Sequence, residues 1–191
     1  MWYVVQVTSG QEQKVCDLVN GIVNGRETAG GEPQPKAEAS RPHAREGKLL
    51  EECFVPSFEA ERKYRGAYEV RRYNLFPGYV IAITSKVEQL NRVLRGVSAF
   101  TKILGNGDAF IPLDRAEMAF INSLTTQRHR VIRVSKAVGE GDAVRVVDGP
   151  LMGHEAWIRK VNRRKGTANV EMTMFGRTIC AEIGLAVVAK E

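Results

Sequence analysis

Hydrophobic positions change their spacing along this chain, and each spacing predicts a different element. The opening stretch "WYVVQV" is rich in aromatic and β-branched residues, which predicts a strand over 2–7. Val15, Leu18, Val19 and Ile22 then recur every three or four positions, as one face of a helix does. Residues 24–47 carry Gly and Pro but almost no large apolar side chain. We expect a long flexible insertion there.

The next segment predicts strands around a charged hairpin. "CFVPSF" (53–58) has the composition of a strand. "RKYRGAYEVRRYN" predicts a hairpin that turns near Arg65-Gly66, and it is too polar on both sides to be deeply buried. "AFTKILG" predicts another strand further along the chain.

"NLFPGYVIAI" (74–83) combines a turn with two aromatic residues. Pro77 and Gly78 suit the centre of a type II turn, and the apolar residues after them predict a buried strand. The turn does not need Phe76 and Tyr79 beside it. These two rings are therefore either core or a contact for a partner.

Two further helices are predicted before residue 125. Ser85 and Glu88 fit a capping box for the first of them, and Gly96 fits its end. Asp114 and Glu117 fit a capping box for the second, "RAEMAFINSL". The apolar face of the first comprises Val87, Leu90, Val93, Leu94 and Val97. Helices and strands in this order favour an α/β sandwich with an antiparallel sheet.

After residue 137 the pattern changes to short β-rich runs separated by Gly-containing turns. This spacing predicts a small five-stranded β-barrel rather than helices. The fold class is therefore α+β, with a sandwich over 1–124, a linker over 125–136 and a barrel over 137–191. The five runs are "AVRVV", "AWIRKV", "NVEMTMF", "TICAEI" and "AVVA".

Charge is concentrated at one place. The chain of 191 residues has a formal net charge of +6. The predicted linker carries Arg128, Arg130, Arg133 and Lys136 and no acidic residue. Such a segment suits a basic flexible linker or a path for nucleic acid equally well.

Several classes of function are disfavoured. No apolar stretch approaches the roughly 18 residues of a membrane helix, and the amino terminus lacks signal-peptide features, so we expect a cytoplasmic protein with no membrane partner. His43, His129 and His154 lack metal-ligand spacing, and no phosphate loop or Gly-x-Ser-x-Gly occurs. We expect no enzyme, metal or cofactor. The three cysteines are odd in number and far apart in sequence, which disfavours a disulfide framework: Cys16, Cys53 and Cys180.

The stretch "WIRKVNRRKG" is the best candidate for nucleic-acid binding. Strand alternation would place Trp157 and Arg159 on one face, with Ile158 pointing inward. An aromatic ring beside cations suits an unpaired base and its flanking phosphates. A solvated hairpin loop is the alternative, and Arg128 and Arg130 either extend the path or belong to the linker. The predicted RNA-binding cations are Arg159, Lys160, Arg163, Arg164 and Lys165.

The chain resembles the NusG family of transcription elongation factors along nearly its whole length. Each matching fragment is short, but their order and spacing across two blocks carry the resemblance. It implies an NGN domain joined by a linker to a KOW barrel. The fragments are "WYVVQVTSGQEQKV", "VP", "FPGY" and "IPL" in the first block, and "GDAVRVVDGPLMG" and "FGR" in the second.

The resemblance implies a polymerase-binding protein. The family's NGN domain docks on the clamp helices of RNA polymerase β′ through an apolar patch. That patch would include Phe76 and Tyr79, with Tyr3 and Trp2 as neighbours. The charged hairpin (62–73) would reach the opposite pincer, which closes the clamp and suppresses pausing. We expect a monomer.

Two departures from the family pattern point to a specialised paralog. Ala156 stands where the KOW pattern often has Gly, Trp157 replaces a smaller residue, and 24–47 exceeds the usual short connection. The chain looks most like the LoaP antiterminators, which implies that its KOW domain binds a nascent RNA hairpin. The alternatives are a housekeeping factor whose KOW domain binds Rho or a ribosomal protein, and a ribosome-associated KOW protein.

Overall fold

The chain folds into two compact units. The computed structural model describes residues 1–23, 48–97, 99–106, 109–126, 130–140 and 143–188. The predicted insertion at 24–47 lies outside these residues. One unit comprises Met1–Phe54 with Gly78–Pro112, and the other comprises Val55–Pro77 with Leu113–Glu191.

The described residues form strands and helices in the following chain order. They are β1 (Trp2–Val7), α1 (Glu12–Val23), β2 (Glu52–Phe54), β3 (Ser57–Tyr64), β4 (Ala67–Asn74), β5 (Tyr79–Ile83), α2 (Val87–Arg95), β6 (Thr101–Ile103), β7 (Gly105–Asn106), β8 (Ala109–Phe110), α3 (Arg115–Leu124), β9 (Val131–Ile132), β10 (Ser135–Glu140), β11 (Ala143–Asp148), β12 (Ile158–Asn162), β13 (Thr167–Met174) and β14 (Arg177–Val188). This mixture of few helices and many strands confirms the predicted mixed class.

The first unit contains the predicted antiparallel sheet, in the order β2-β5-β1-β6. Val4 and Val5 of β1 are buried at its centre. α1 buries Val15 and Val19, as the spacing predicts. The prediction for Ile22 is wrong, because it lies exposed in the last turn of the helix.

The cysteine pair of the first unit is close in space although distant in sequence. The sulfur atoms of Cys16 and Cys53 lie 3.2 Å apart as buried free thiols. The hydrogen bond with Cys53, together with burial, raises the pKa of the Cys16 thiol far above its ordinary value. Cys16 therefore stays protonated at neutral pH, as expected of a structural thiol.

The predicted caps differ in outcome. The box of Ser85 and Glu88 is wrong, because α2 follows Lys86, whose N–H donates to Thr84 Oγ1 at 2.8 Å. The box at α3 is confirmed. Glu117 N–H donates to Asp114 Oδ1 at 2.7 Å, and Asp114 N–H donates to Glu117 Oε2 at 2.9 Å. No side chain forms a cap hydrogen bond for α2, and the Thr84 hydroxyl accepts from the N–H of the N-cap residue itself.

The second unit contains the charged hairpin. β3 and β4 pair through to the turn, where Arg65 and Gly66 both have positive φ, as hairpin turns of the type I′ class require. β4 is almost wholly exposed, so the predicted polar surface is confirmed. The predicted strand over 53–58 is wrong in one respect. The segment forms two strands, β2 and β3, which Val55-Pro56 separates. β3 belongs to the sheet of the charged hairpin, whereas β2 belongs to the sheet of the first unit.

A five-stranded sheet lies in the same unit, in the order β11-β10-β14-β13-β12. The strand count agrees with the sequence, but two assignments do not. "TICAEI" and "AVVA" form the single strand β14, and β10 supplies the fifth strand. β9 and the start of β10 fall within 125–136, which the sequence predicts as linker.

β3 lies directly against the five-stranded sheet at two glycines, Gly184 of β14 and Gly166 of the β12–β13 turn. A Cβ atom on Gly184 would overlap the carbonyl oxygen of Glu59. A Cβ atom on Gly166 would lie 2.6 Å from the carbonyl oxygen of Glu61. The absence of side chains at these positions therefore lets the hairpin backbone approach the five-stranded sheet.

Candidate nucleic-acid interface

Trp157 does not lie on a strand. It ends a short 3-10 helix, Glu155–Trp157, and its N–H donates to the carbonyl of His154 at 3.0 Å. β12 begins one residue later. The predicted alternation of Trp157 with Arg159 is therefore wrong, because period-2 geometry applies only within the strand.

The ring of Trp157 is half-buried between two other rings. The His154 ring stacks on it at 3.9 Å between centroids and 10° between planes. The Phe120 ring of α3 lies at 5.2 Å and 45°. A cavity of about 480 Å³ opens beside Trp157 and Phe120. Stacking of a base on the face next to His154 would require that His154 move.

Arg159 is engaged with a carboxylate. Its Nε and Nη2 atoms donate to Glu171 of β13 at 3.1 and 2.8 Å. The Arg159 guanidinium lowers the pKa of the Glu171 carboxyl, and Glu171 raises the pKa of Arg159. This two-point ion pair fixes the side chain and offsets much of its charge.

The other cations of the run lie on the surface of β12 and its following turn. Lys160, Arg163 and Arg164 are exposed, and within the described chain neither arginine forms an ion pair. Lys165 Nζ lies 3.7 Å from Glu182 Oε1. Asn162 Oδ1 accepts the Lys165 N–H at 3.0 Å and shapes the turn. Lys160, Arg163 and Arg164 are therefore available to bind phosphate groups.

The β12–β13 turn and the charged hairpin form the two walls of a cavity of about 930 Å³. The sequence predicts the turn residues but assigns the hairpin to a different role. The pairing depends on the close approach at Gly166 and Gly184, which no local pattern reveals. We call this cavity the cation groove and define it by Arg62, Lys63, Tyr68, Arg163, Arg164 and Lys165.

Among the described linker cations, Arg130, Arg133 and Lys136 do not line the groove. Arg128 lies outside the described residues. Arg130 has a positive φ of 50°, and its Nη1 donates to Asn122 Oδ1 at 2.8 Å. Arg130 therefore holds the segment after α3 to the helix, and its contact with RNA stays a prediction.

The aromatic residues predicted to face polymerase are more buried than the sequence suggests. Phe76 is only 5% exposed, and its ring packs edge-on against Phe175 at 5.3 Å. Tyr3 is buried, and Tyr79 is half-buried. The expectation of exposed rings is thus wrong for Phe76 and Tyr3. A partner can reach the Phe76 ring only after Phe175 moves.

Glu117 joins α3 to the turn between β13 and β14. Phe175 and Gly176 have φ of 59° and 68°, so their N–H groups converge, and both donate to Glu117 Oε1. The same carboxylate caps α3 through its other oxygen. We call this set of contacts the α3 seam and define it by Phe76, Glu117, Phe120, Trp157 and Phe175.

Comparison with known proteins gives two family matches and several relatives. A family model described as "Transcription termination factor nusG" matches residues 1–122, and one described as "KOW motif" matches 140–171. The chain is 27% identical to the transcription termination/antitermination protein NusG of Thermus thermophilus, over 99% of this chain and 97% of that one. It is 26% identical to the NusG of Buchnera aphidicola, over 99% and 95%.

A solved structure also resembles the chain. It is described as "Domain interaction in Thermotoga maritima NusG", with a TM-score of 0.49, 19% identity and coverage of 97% of this chain and 92% of that one. Among the described helices, none has both the length and the apolar character needed to cross a membrane.

Proposed function

Because the chain belongs to the NusG family of transcription termination/antitermination factors, we propose that it acts as a processive antiterminator. Family members are transcription factors and not enzymes. In this proposal the amino-terminal domain (residues 1–124) binds the β′ clamp helices of RNA polymerase. The linker (125–136) joins it to the carboxy-terminal domain (137–191), which binds a structured nascent RNA. The protein then acts in the cytoplasm, where it stays bound to the elongating polymerase.

The observation that carries the proposal is the exposed cation run after β12. Lys160, Arg163 and Arg164 are exposed and have no ion-pair partner among the described residues. Exposed arginines without an ion pair can neutralise phosphates and release the counterions around them. Nascent RNA supplies a row of phosphates, and the resulting affinity should fall steeply with salt.

Trp157 and Arg159 support RNA binding differently in this proposal. The edge of the Trp157 ring borders an open cavity, so an unpaired base can reach it there. Arg159 keeps its ion pair with Glu171 and contributes less than the unpaired cations. The α3 seam thus makes a secondary contact, and Lys160 to Lys165 make the main one.

The polymerase contact is proposed for Tyr79, Phe76 and Tyr3. Tyr79 is half-buried at the start of β5, so part of its ring meets solvent. Phe76 and Tyr3 join the contact only if the binding of polymerase uncovers them. Phe76 is included because it belongs to "FPGY", which resembles the family's docking patch, and Tyr3 because the resemblance implies that it neighbours this patch.

The first experiment selects RNAs from a random pool with the full-length protein. We expect hairpins with a shared loop or bulge, because structured RNA offers unstacked bases there. Recovery of no common RNA, together with capture of Rho or a ribosomal protein, would favour the housekeeping function. Failure to bind purified RNA polymerase would favour the ribosome-associated alternative.

A further inference from the structure

We propose that the cation groove binds an unpaired RNA strand, with phosphates on the cations of both walls and a base stacked on Tyr68. This inference rests on the proposed RNA-binding function and adds the charged hairpin to the site. It also assigns the main stacking surface to a residue on the hairpin.

Charge is the first argument. Among the described residues, five cations line the groove against one carboxylate, Glu61, and one of the five, Lys165, has an ion pair with Glu182 at 3.7 Å. The excess comes from both walls, with Arg62 and Lys63 on the hairpin and two arginines on the turn. A concave surface with this balance concentrates polyanions. A partner that touched only one wall would leave the other wall's charges uncompensated.

Fixed geometry is the second argument. The carbonyl oxygens of Glu59 and Glu61 rest where Gly184 and Gly166 leave room, so backbone contact holds the walls together. Lys63 and Tyr68 are directly opposed across the β3–β4 ladder, which places their side chains on one face of the hairpin. An aromatic ring and a cation are therefore presented side by side at the groove.

An unsatisfied donor is the third argument. The Nε atom of Arg62 is buried and has no hydrogen-bond acceptor within the described residues. Its guanidinium lies over the Tyr73 ring at 5.3 Å, which holds it but supplies no acceptor oxygen. Unsatisfied buried donors are rare in folded proteins. This donor is covered in the free protein, so a phosphate oxygen reaches it only when the Arg62 side chain turns from Tyr73 toward the groove, a move that a charge-assisted hydrogen bond would favour.

The exposed ring decides between paired and unpaired RNA. Tyr68 is 72% exposed, so its side chain projects from the hairpin and no neighbouring side chain covers most of its ring. Duplex RNA keeps its bases stacked inside, whereas an unpaired strand can place a base on such a ring. The combination of a ring with a cationic track therefore favours a single strand.

The test measures binding of three fluorescent probes to full-length variants. The probes are an unstructured RNA of about 12 nucleotides, the DNA of the same sequence, and the corresponding RNA duplex. The groove variants are Arg62→Ala with Lys63→Ala, Lys63→Ala alone in case the half-buried arginine is needed for folding, and Tyr68→Ala. Matched controls on the same hairpin, outside the groove lining, are Arg71→Ala with Arg72→Ala, and Tyr64→Ala.

We expect the groove pair to lower affinity for the unpaired RNA roughly 10- to 30-fold at about 0.1 M salt and to flatten the salt slope by about 1.4 units. Tyr68→Ala should lower affinity about 5- to 100-fold and leave the slope unchanged. The unpaired RNA should bind more tightly than the duplex. Binding of the DNA as tightly as the RNA would contradict the transcript as the occupant.

Two failures can be distinguished. If the groove variants bind like their matched controls while Arg163→Ala with Arg164→Ala still weakens binding, the groove proposal is overturned and the proposed function stands. If the Arg163 and Arg164 variant also binds as the wild type does, RNA binding by this domain is overturned. Thermal unfolding of each variant shows that the comparison is made between folded proteins.

Discussion

The α3 seam and the cation groove lie at opposite ends of β12 and differ in what satisfies their side chains. At the seam, Trp157 has His154 and Phe120 against its ring, and the nearby Arg159 of β12 has Glu171. At the groove, Arg163 and Arg164 have no ion pair within the described chain. The seam's side chains are engaged within the protein, whereas Arg163 and Arg164 of the groove are exposed and available to an external partner.

This difference shows why closeness in sequence does not define a site. The predicted RNA-binding residues from Trp157 to Lys165 span nine positions, yet they divide between two environments. The division arises because a 3-10 helix precedes β12 and directs Trp157 toward α3. Contacts from distant elements, α3 at one end and the hairpin at the other, then decide what each residue can do.

The largest expected effect lies in the seam. Phe76→Ala should lower the free energy of unfolding by about 3–5 kcal/mol, because a buried aromatic ring that packs on Phe175 is lost. Phe100→Ala is the control, since that ring is 57% exposed, and it should change stability little. Chemical denaturation of both variants measures the difference. Equal, small effects would show that the Phe76 ring is not packed in the free protein.

A second change tests the wall of the groove without removing charge. Gly184→Ala should cost about 1–3 kcal/mol or more, because its methyl group meets the backbone of Glu59, which cannot move cheaply. It should also weaken binding of unpaired RNA by separating β3 from β14. Gly96→Ala, at a residue with φ of −86° and ordinary contacts, is the control. Wild-type stability and affinity for Gly184→Ala would contradict the close approach.

The smallest expected effect on stability concerns the two aromatic residues Trp157 and Tyr68. Trp157→Ala should lower stability by about 2 kcal/mol, roughly half the cost of a fully buried ring. Tyr68→Ala should leave stability unchanged, because its ring is exposed. Their effects on RNA affinity should follow the reverse order. Unfolding and RNA binding are measured on the same preparations of both variants. A larger loss of RNA affinity for Trp157→Ala than for Tyr68→Ala would show that the base stacks on Trp157 instead.

Local signals predicted the elements well. The capping box at Asp114 and Glu117, the bounds of α3, and the hairpin turn at Arg65-Gly66 all follow from patterns within a few residues. The capping box before α2 failed because the N-cap is Lys86, one position after Ser85, and its N–H binds the Thr84 hydroxyl. Local chemistry of this kind is decided by near neighbours, which the sequence displays.

The site itself depended on contacts that the sequence does not display. Nothing near Phe76 indicates that Phe175, far along the chain, covers its ring. Gly184 has no unusual φ, so its role appears only once Glu59 lies against it. The sequence therefore indicated the cations of the turn but neither the second wall of the groove nor the burial of the predicted docking ring.

The most direct test of RNA binding is a salt titration of the full-length protein with an RNA obtained by selection. Arg163→Ala with Arg164→Ala should lower affinity and flatten the salt slope by about 1.4 units, since two phosphate contacts are lost. Arg92→Ala with Arg95→Ala removes two exposed cations from α2 and should retain the wild-type slope. Identical slopes for both double variants would contradict the account.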